Sequence, residues 1–504
     1  MADFIRRVLL RADSGPGLGL GHAMRCLALA EELGRRQFMS WFASRSLYGA
    51  ERRIHEQGYS RIHLSDPPAL EVDEIRRQLA GDGAVDATRK LFRFLVFDHY
   101  MAEAEGWLRQ ARSLASRRLV FDDMPGRGLP CELLVNPALG IGPDDYAGYV
   151  AKGTRLLLGP RYAPLRPSLR HAVLAAPART SDAVRTVVVG MGGATSEATA
   201  LAVEAVQEAL PDSSIDVVVG RNGGGSARAA SRRVRVHVDP DDITLAGVLV
   251  AGDLALGAAG VSAYERCMAG LPSVAVELAP NQRSTIRGLA NAGAAIDAGP
   301  LDELSLPGLV DLIRGIAADA TVRASMRQRC RELVDGRGAD RIAHELEGVR
   351  LRRPRLDDMG LLWAWSNDPE TRLNSVSRDP IPWKAHQEWF TARADDPGTM
   401  LLIGYNSVGP VGQVRFDMNA EASEVSIATD PLHRGTVGSV LLRAALRRFK
   451  RAHGARRIMA RVRTENTASR RLFESAGFTQ ARGEGNILRY VLEPPEKRTN
   501  RSGI

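Results

Sequence analysis

Apolar positions in the first two-thirds of the chain fall into short runs separated by helical stretches. Val8–Arg11, Phe94–Phe97, Leu119–Phe121 and Leu133–Val135 have the length and content of buried strands. A helix is predicted from about His22 to Leu33 and another through Trp107. Buried strands alternating with helices predict a parallel α/β sheet. The Pro- and Gly-rich stretch Leu158–Pro167 reads as a junction. A second series follows: TVVVG from Thr186, a helix after Ser196, DVVVG at Asp216–Gly220, then Val234–His237, Asp253–Leu256 and Ser273–Val276. The expected architecture is two consecutive Rossmann-like units, with a ligand in the cleft beyond the carboxyl ends of their strands.

The pattern changes at Val349–Pro354. Helical stretches carrying Trp363, Trp365, Trp383 and Trp389 come first, and Leu401–Tyr405, Val411–Asp417 and Glu424–Ala428 then alternate as antiparallel strands do. A long helix to about Ala452, a strand at Ile458–Arg461 and a short helix from Asn466 complete an α+β domain. The expected divisions are 1–160, 161–348 and 349–493. The tail, 494–504, has no apolar face and is expected to be disordered.

At 504 residues the chain exceeds a single core, and 44% hydrophobic with 25% charged residues is globular composition. The net charge of +9 favours anionic ligands. No long basic run interleaved with aromatics occurs, so small anions are expected rather than nucleic acid. Cys26, Cys131, Cys267 and Cys330 stand far apart, without CxxC or Cys/His spacing. They predict reduced thiols, no zinc site and a cytoplasmic location. The apolar run at Val8 is too short for a signal peptide or a membrane span, so no membrane association is expected.

The segment RADSGPGLGLGHAMR, Arg11–Arg25, carries Gly15, Gly17, Gly19 and Gly21 between a strand and a helix. Glycines permit sharp bends and close approach, and a helix start presents N–H groups to an anion. A tight turn without ligand has the same spacing. His22 adds chemistry, because a histidine at the cleft edge can take a proton from water near neutral pH; its plainer role is structural hydrogen bonding. In the second unit GMGG at Gly190–Gly193, GAAGVSAYE at Gly257–Glu265 and PNQ at Pro280–Gln282 follow predicted strands. Glu265 is placed to accept from ribose hydroxyls or to be solvated on a packed helix.

In order, Gly19-x-Gly21-His22-x-x-Arg25, Phe97-Asp98-His99-Tyr100, Phe121-Asp122-Asp123, Asn136-Pro137, Gly159-Pro160-x-Tyr162-x-Pro164-Leu165-Arg166, Gly260-x-Ser262-x-Tyr264-Glu265 and Asn281-Gln282 resemble the pseudaminic-acid-pathway UDP-sugar hydrolases. These are relatives of the bacterial glycosyltransferases that complete the peptidoglycan disaccharide lipid. The resemblance implies a glycosyltransferase-B arrangement of the two units. It implies hydrolysis of UDP-2,4-diacetamido-2,4,6-trideoxy-β-L-altropyranose to the free sugar and UDP. His22 matches the histidine that activates water for inverting attack, Tyr100 the tyrosine near the sugar, and Asp98 is a candidate to order His22 or the water. UDP-sugar contacts are implied at Gly19, Gly21, Arg25, Arg166, Gly192, Gly260, Ser262, Glu265, Asn281 and Gln282. Where the family has a Gly-Gly-Ser-Asp-like turn, this chain has Gly192-Gly193-Ala194-Thr195. Two rival readings are a glycosyltransferase using a UDP-sugar donor and a non-catalytic nucleotide-sugar scaffold. His22 within an intact motif argues against the scaffold.

HRGTVG, His433–Gly438, follows a strand and precedes the long helix, where backbone N–H groups can wrap a pyrophosphate. With Asn466, Ser469, Arg470 and Leu472–Phe478 it resembles the GNAT acetyltransferases over about residues 350–492. The resemblance implies acetyl-CoA as co-substrate and no metal. Arg434, Gly435, Val437, Gly438 and Ser439 match the pyrophosphate loop and Asn466 the pantetheine contact. Phe473 stands where many relatives carry an acidic tyrosine. Glu424 is either a base for the substrate ammonium or a solvated strand-end carboxylate. Trp363-x-Trp365-Ser366-Asn367-Asp368 with His386-x-x-Trp389-Phe390 resembles the 4-amino-sugar N-acetyltransferases of the same pathway, although a Trp stripe also fits a core. Such a transferase would make the substrate of the hydrolase.

Overall fold

Successive side chains of a strand point to opposite faces, and here both faces are covered. Val8 and Leu10 of β1 (Arg7–Ala12) enter one core with Leu27 and Leu33, while Leu9 enters another with Phe97 and Trp107. Phe94 and Val96 join the first core and Leu95 the second. That double burial is why these strands read as unbroken apolar runs. The computed structural model describes residues 6–15, 18–80, 90–177, 183–192, 196–221, 233–419 and 422–494. The expected disordered tail lies outside them apart from its first residue, as do Gly17 and Gly193–Thr195 of the glycine turns.

The first sheet adds β2 (Met39–Ser44), β3 (Ser60–His63), β4 (Phe92–Asp98), β5 (Ala115–Phe121), β6 (Leu133–Asn136) and β7 (Arg155–Leu158). It is parallel, in the order β3-β2-β1-β4-β5-β6-β7. The strands without a clear sequence signal lie toward its edges. β3, Ser-Arg-Ile-His, buries only Ile62 fully, because an edge strand keeps polar side chains in water. The second sheet contains β8 (Thr186–Gly190), β9 (Ser214–Val219), β10 (Val234–Val238), β11 (Leu254–Ala258), β12 (Ser273–Glu277) and β13 (Ile296–Pro300), in the order β10-β9-β8-β11-β12-β13. The strand order reverses between β1 and β4 and again between β8 and β11, so each sheet opens a crevice there at its carboxyl edge. Both sheets belong to one compact unit, Met1–Leu346. Ala163 and Leu165 of the expected junction are packed into the second core. The closing helix, Gly338–Glu347, sends Ile342, Ala343 and Leu346 back into the core of the first sheet.

The second compact unit is Glu347–Ile504. Its sheet is β14 (Arg350–Arg352), β15 (Thr399–Asn406), β16 (Gly409–Met418), β17 (Ser423–Thr429), β18 (Ile458–Arg463), β19 (Thr479–Glu484) and β20 (Ile487–Leu492), in the order β14-β15-β16-β17-β18-β20-β19. The Val349–Pro354 stretch, read as a boundary, thus holds an edge strand. Met400 and Leu402 of β15 pack with Leu441, Leu442, Ala445 and Phe449 of the long helix Gly438–His453. Leu401 and Ile403 face Leu362, Trp365 and Phe390 on the other side. β17 and β18 are parallel neighbours, yet their pairing is confined to Ser423–Ile458 and Glu424–Met459. Beyond those two positions no further β17–β18 pairing is present among the described residues, and β17 continues to Thr429, just before the loop at Pro431–Val437.

Candidate functional site

The carboxyl ends of the two sheets in the first unit enclose a cavity of about 670 Å³, a size typical of small-molecule sites. Every residue given a catalytic or UDP-sugar-binding role from the sequence for the first site lines it except Asp98. Two helices begin at its wall, Gly21–Arg35 after the glycine loop and Val261–Ala269 after β11. A side chain at Gly21 would touch Val261 at 4.0 Å, so the two N-termini are neighbours and both bring positive helix ends to the cavity. Gly19 closes the loop through mutual backbone bonds with Gly15 and takes φ +72°, a left-handed conformation that favours glycine.

Asp98 ends β4 and is fully buried behind the cavity wall. Both its oxygens accept from Arg25, at 2.9 and 2.7 Å, while Arg25 reaches Asp123 with its third nitrogen at 2.6 and 2.7 Å. Burial opposes the Arg25 cation, but the carboxylates of Asp123 and Asp98 hold its pKa well above the ordinary value. The nearest nitrogen of His22 is 3.9 Å from Asp98, outside hydrogen-bond range. Asp98 is therefore a partner of Arg25 rather than a direct orienter of His22, and it acts on the imidazole only through its charge. The Nδ1 of His22 is buried without a hydrogen-bond partner. Burial lowers the His22 pKa below its ordinary 6.5, with Asp98 pulling the other way and Arg25 assisting the decrease. Burial thus favours the neutral form of the ring.

Tyr100 meets the His22 ring edge to face, with centroids 4.6 Å apart. Its hydroxyl donates to Asp123 and accepts from Asn281 at 3.0 Å, which joins the two sheets' loops across the cavity. Burial and Asp123 raise the phenol pKa far above its usual range, so Tyr100 is a donor and not a base. On the opposite wall Arg166 bonds Glu265 at 3.1 Å and pairs with Asp242 at 2.8 Å. Glu265 therefore already has one cationic partner. Ser262 lies in the first turn of its helix, and the Oε1 of Gln282 accepts from Leu278 N at 3.1 Å.

Three side-chain groups were not singled out from the sequence. Asp123 links Arg25 and Tyr100; its signal was a carboxylate pair placed just after a buried strand at the ligand end of the sheet. Asp13 accepts from His99, whose Nδ1 accepts from Met101 N, so the pair fixes the loop after β4. Arg266 lies buried at the cavity with no carboxylate partner among the described residues.

In the second unit the loop after β17 forms a helical turn, Pro431–His433, and Gly435 takes φ +79° before Val437 caps the long helix. Gly438 and Ser439 open that helix, whose first N–H groups have no partner within it. Arg434 pairs with Asp368 and with Glu370, the latter at 2.7 Å. Trp365 Nε1 donates to Asp430 at 2.8 Å, just before the same loop. Asn466 uses its oxygen to cap the following helix at Ser469 N, 3.0 Å away. Glu424 sits at the paired end of β17, half-exposed and ion-paired with Arg461 at 2.8 Å. Phe473 is buried between Phe478 and Tyr490. Residues 434–439 thus follow the unpaired end of β17, whereas Glu424 sits at its paired end, held by Arg461.

Residues 349–479 match the acetyltransferase (GNAT) domain family. The spore coat polysaccharide biosynthesis protein SpsG of Bacillus subtilis is 25% identical over 346 residues, covering 67% of this chain and 97% of that protein. An uncharacterised protein of Methanocaldococcus jannaschii is 21% identical over 512 residues, covering 97% of this chain and 99% of its own length. Among solved structures, MurG of Acinetobacter baumannii matches 68% of this chain and 98% of its own, with 13% identity and a TM-score of 0.45. The C-terminal unit is thus a GNAT acetyltransferase domain, with acetyl-CoA as its co-substrate, following two Rossmann-like units in the sequence.

Proposed function

We propose that the first unit hydrolyses a UDP-activated sugar and that the GNAT domain N-acetylates the amino-sugar precursor of that substrate. In the first reaction His22 takes a proton from water as the water oxygen attacks the anomeric carbon. The bond from that carbon to the β-phosphate oxygen breaks, UDP leaves with the electron pair, and the sugar is released with inverted configuration. Tyr100 and Asn281 face the sugar, while the starts of the helices Gly21–Arg35 and Val261–Ala269 stabilise the charge that develops on UDP. The observation that carries this reading is the buried His22, its neutral form favoured and its Nδ1 unpartnered, at the wall of a cavity between two helix N-termini. The substrate the sequence resemblance implies is UDP-2,4-diacetamido-2,4,6-trideoxy-β-L-altropyranose. In the second reaction the free 4-amino group attacks the thioester carbon of acetyl-CoA, the carbon–sulfur bond breaks, and the proton the amine gives up ends on the sulfur, so that coenzyme A leaves as the thiol. The diphosphate of the coenzyme lies on the loop of Arg434, Gly435, Val437, Gly438 and Ser439, and Asn466 meets its pantetheine arm.

The test is to incubate the protein with acetyl-CoA and the UDP-4-amino sugar, without any sugar acceptor, and to follow products by mass and NMR. Sequential appearance of the acetamido UDP-sugar, then UDP with free sugar, is expected. Acetylation with no UDP release unless a sugar acceptor is added would replace hydrolysis with glycosyl transfer.

A further inference from the structure

Arg266 is 3% exposed, yet it lines the same cavity. It sits on the helix Val261–Ala269, two turns or less from its start. Its Nη2 donates to the carbonyl of Ala258 at 2.8 Å and its Nη1 to the hydroxyl oxygen of Ser262 at 3.3 Å. The Nε has no hydrogen-bond partner. The one carboxylate next to it in sequence, Glu265, is held by Arg166 at 3.1 Å. A buried cation without an ion pair is costly, because its desolvation is offset only in part; burial lowers the Arg266 pKa although Cys267 and the more distant charge of Glu265 pull the other way. The surrounding backbone leaves no room for a larger neighbour. A side chain at Gly257 would meet Gly190 O at 2.5 Å and the Arg266 guanidinium at 2.9 Å. The positive charge is thus locked beneath the ends of β8 and β11, where the strand order of the second sheet reverses.

We propose that Arg266 is a built-in counter-charge for the diphosphate of the nucleotide, acting through Ser262 and the N-terminus of its helix. By donating to the Ser262 oxygen it directs the serine proton away from itself. In the free protein that proton goes to Ala258 O at 3.3 Å; in the complex it turns to a phosphate oxygen. The cation beneath also strengthens the positive potential at the first N–H groups of the helix. Its cost in the free protein is recovered when a dianionic group binds, which makes affinity selective for phosphorylated over unphosphorylated nucleosides. Arg266 is a positioning residue in this account, and the inference rests on the cavity being a UDP site.

The test compares full-length wild type with Arg266→Met and Arg266→Lys by calorimetric titration with UDP and with uridine, alongside thermal melting of each free protein. For Arg266→Met, UDP affinity is expected to fall tenfold or more, uridine affinity to stay within twofold, and the free protein to melt no lower than wild type. Arg266→Lys, which keeps the charge, is expected to recover part of the UDP affinity. If UDP and uridine weaken together, or only melting drops, Arg266 is merely structural and the proposal is overturned. Should Arg266→Met not fold, Arg266→Lys decides: a UDP-to-uridine affinity ratio equal to that of wild type, together with a melting loss, overturns it as well. Wild type that binds no UDP would instead overturn the functional reading of the cavity, and this inference with it.

Discussion

Arg25 holds Asp98 with two nitrogens and Asp123 with a third, so His22 stands beside a carboxylate that it does not bond. The imidazole is left free to accept a proton. We expect His22→Ala to cut UDP release about 100-fold or more while calorimetric UDP affinity stays unchanged; ordinary release rates in the variant would remove His22 from the chemistry. The pH sign follows from the lowered pKa. His22 is neutral above that pKa and charged below it, so hydrolysis should fall only as pH drops below 6.5, and an acid limb above neutrality in the rate profile would contradict a buried base. Asp98→Asn keeps the size but weakens the hold on a buried guanidinium. It should lower unfolding free energy by about 2–3 kcal/mol, measured by denaturant titration, and an unchanged midpoint would mean that Asp123 alone satisfies Arg25.

At the scale of elements, the glycines at the start of the long helix of the second unit differ in their constraints. Gly435 requires a left-handed backbone, whereas a Cβ at Gly438 would make ordinary contacts with Leu472 at 3.6 Å and Thr429 at 3.7 Å. Gly438→Ala should therefore fold and bind acetyl-CoA close to normally. Gly438→Asp adds a like charge where a diphosphate is expected and should abolish measurable acetyl transfer while leaving hydrolysis intact. Equal acetyl-CoA affinity for the two variants in calorimetry would mean that the coenzyme lies elsewhere. The same scale separates what was legible from what was not. The strands buried on both faces, such as β1 and β4, and the helix after the first glycine loop were readable from apolar runs and spacing. β3 was not, because an edge strand of Ser-Arg-Ile-His offers one buried residue and no periodicity.

Over the whole molecule, the two compact units meet in sequence at Leu346 and Glu347, but the helix Gly338–Glu347 belongs to the first core through Ile342, Ala343 and Leu346. A fragment ending at 348 should be soluble and release UDP at the full-chain rate, and one ending at 336 should aggregate, because the first core would lose three apolar side chains. Light scattering and activity of both fragments check this; an active fragment ending at 336 would show that the closing helix is dispensable. What the sequence alone determined was local: strands and helices by apolar period, strand-to-helix turns by glycine spacing, and the helix starts near His22 and Gly438. Tertiary structure decided the rest, because charge pairing and burial are set by residues distant along the chain. Asp98 could be read as an aid to His22 until the fold brought Arg25 to it from 73 positions away. Tyr100 gained its partner Asn281 across 181 positions, and no local pattern marks Arg266 as a buried cation without a carboxylate.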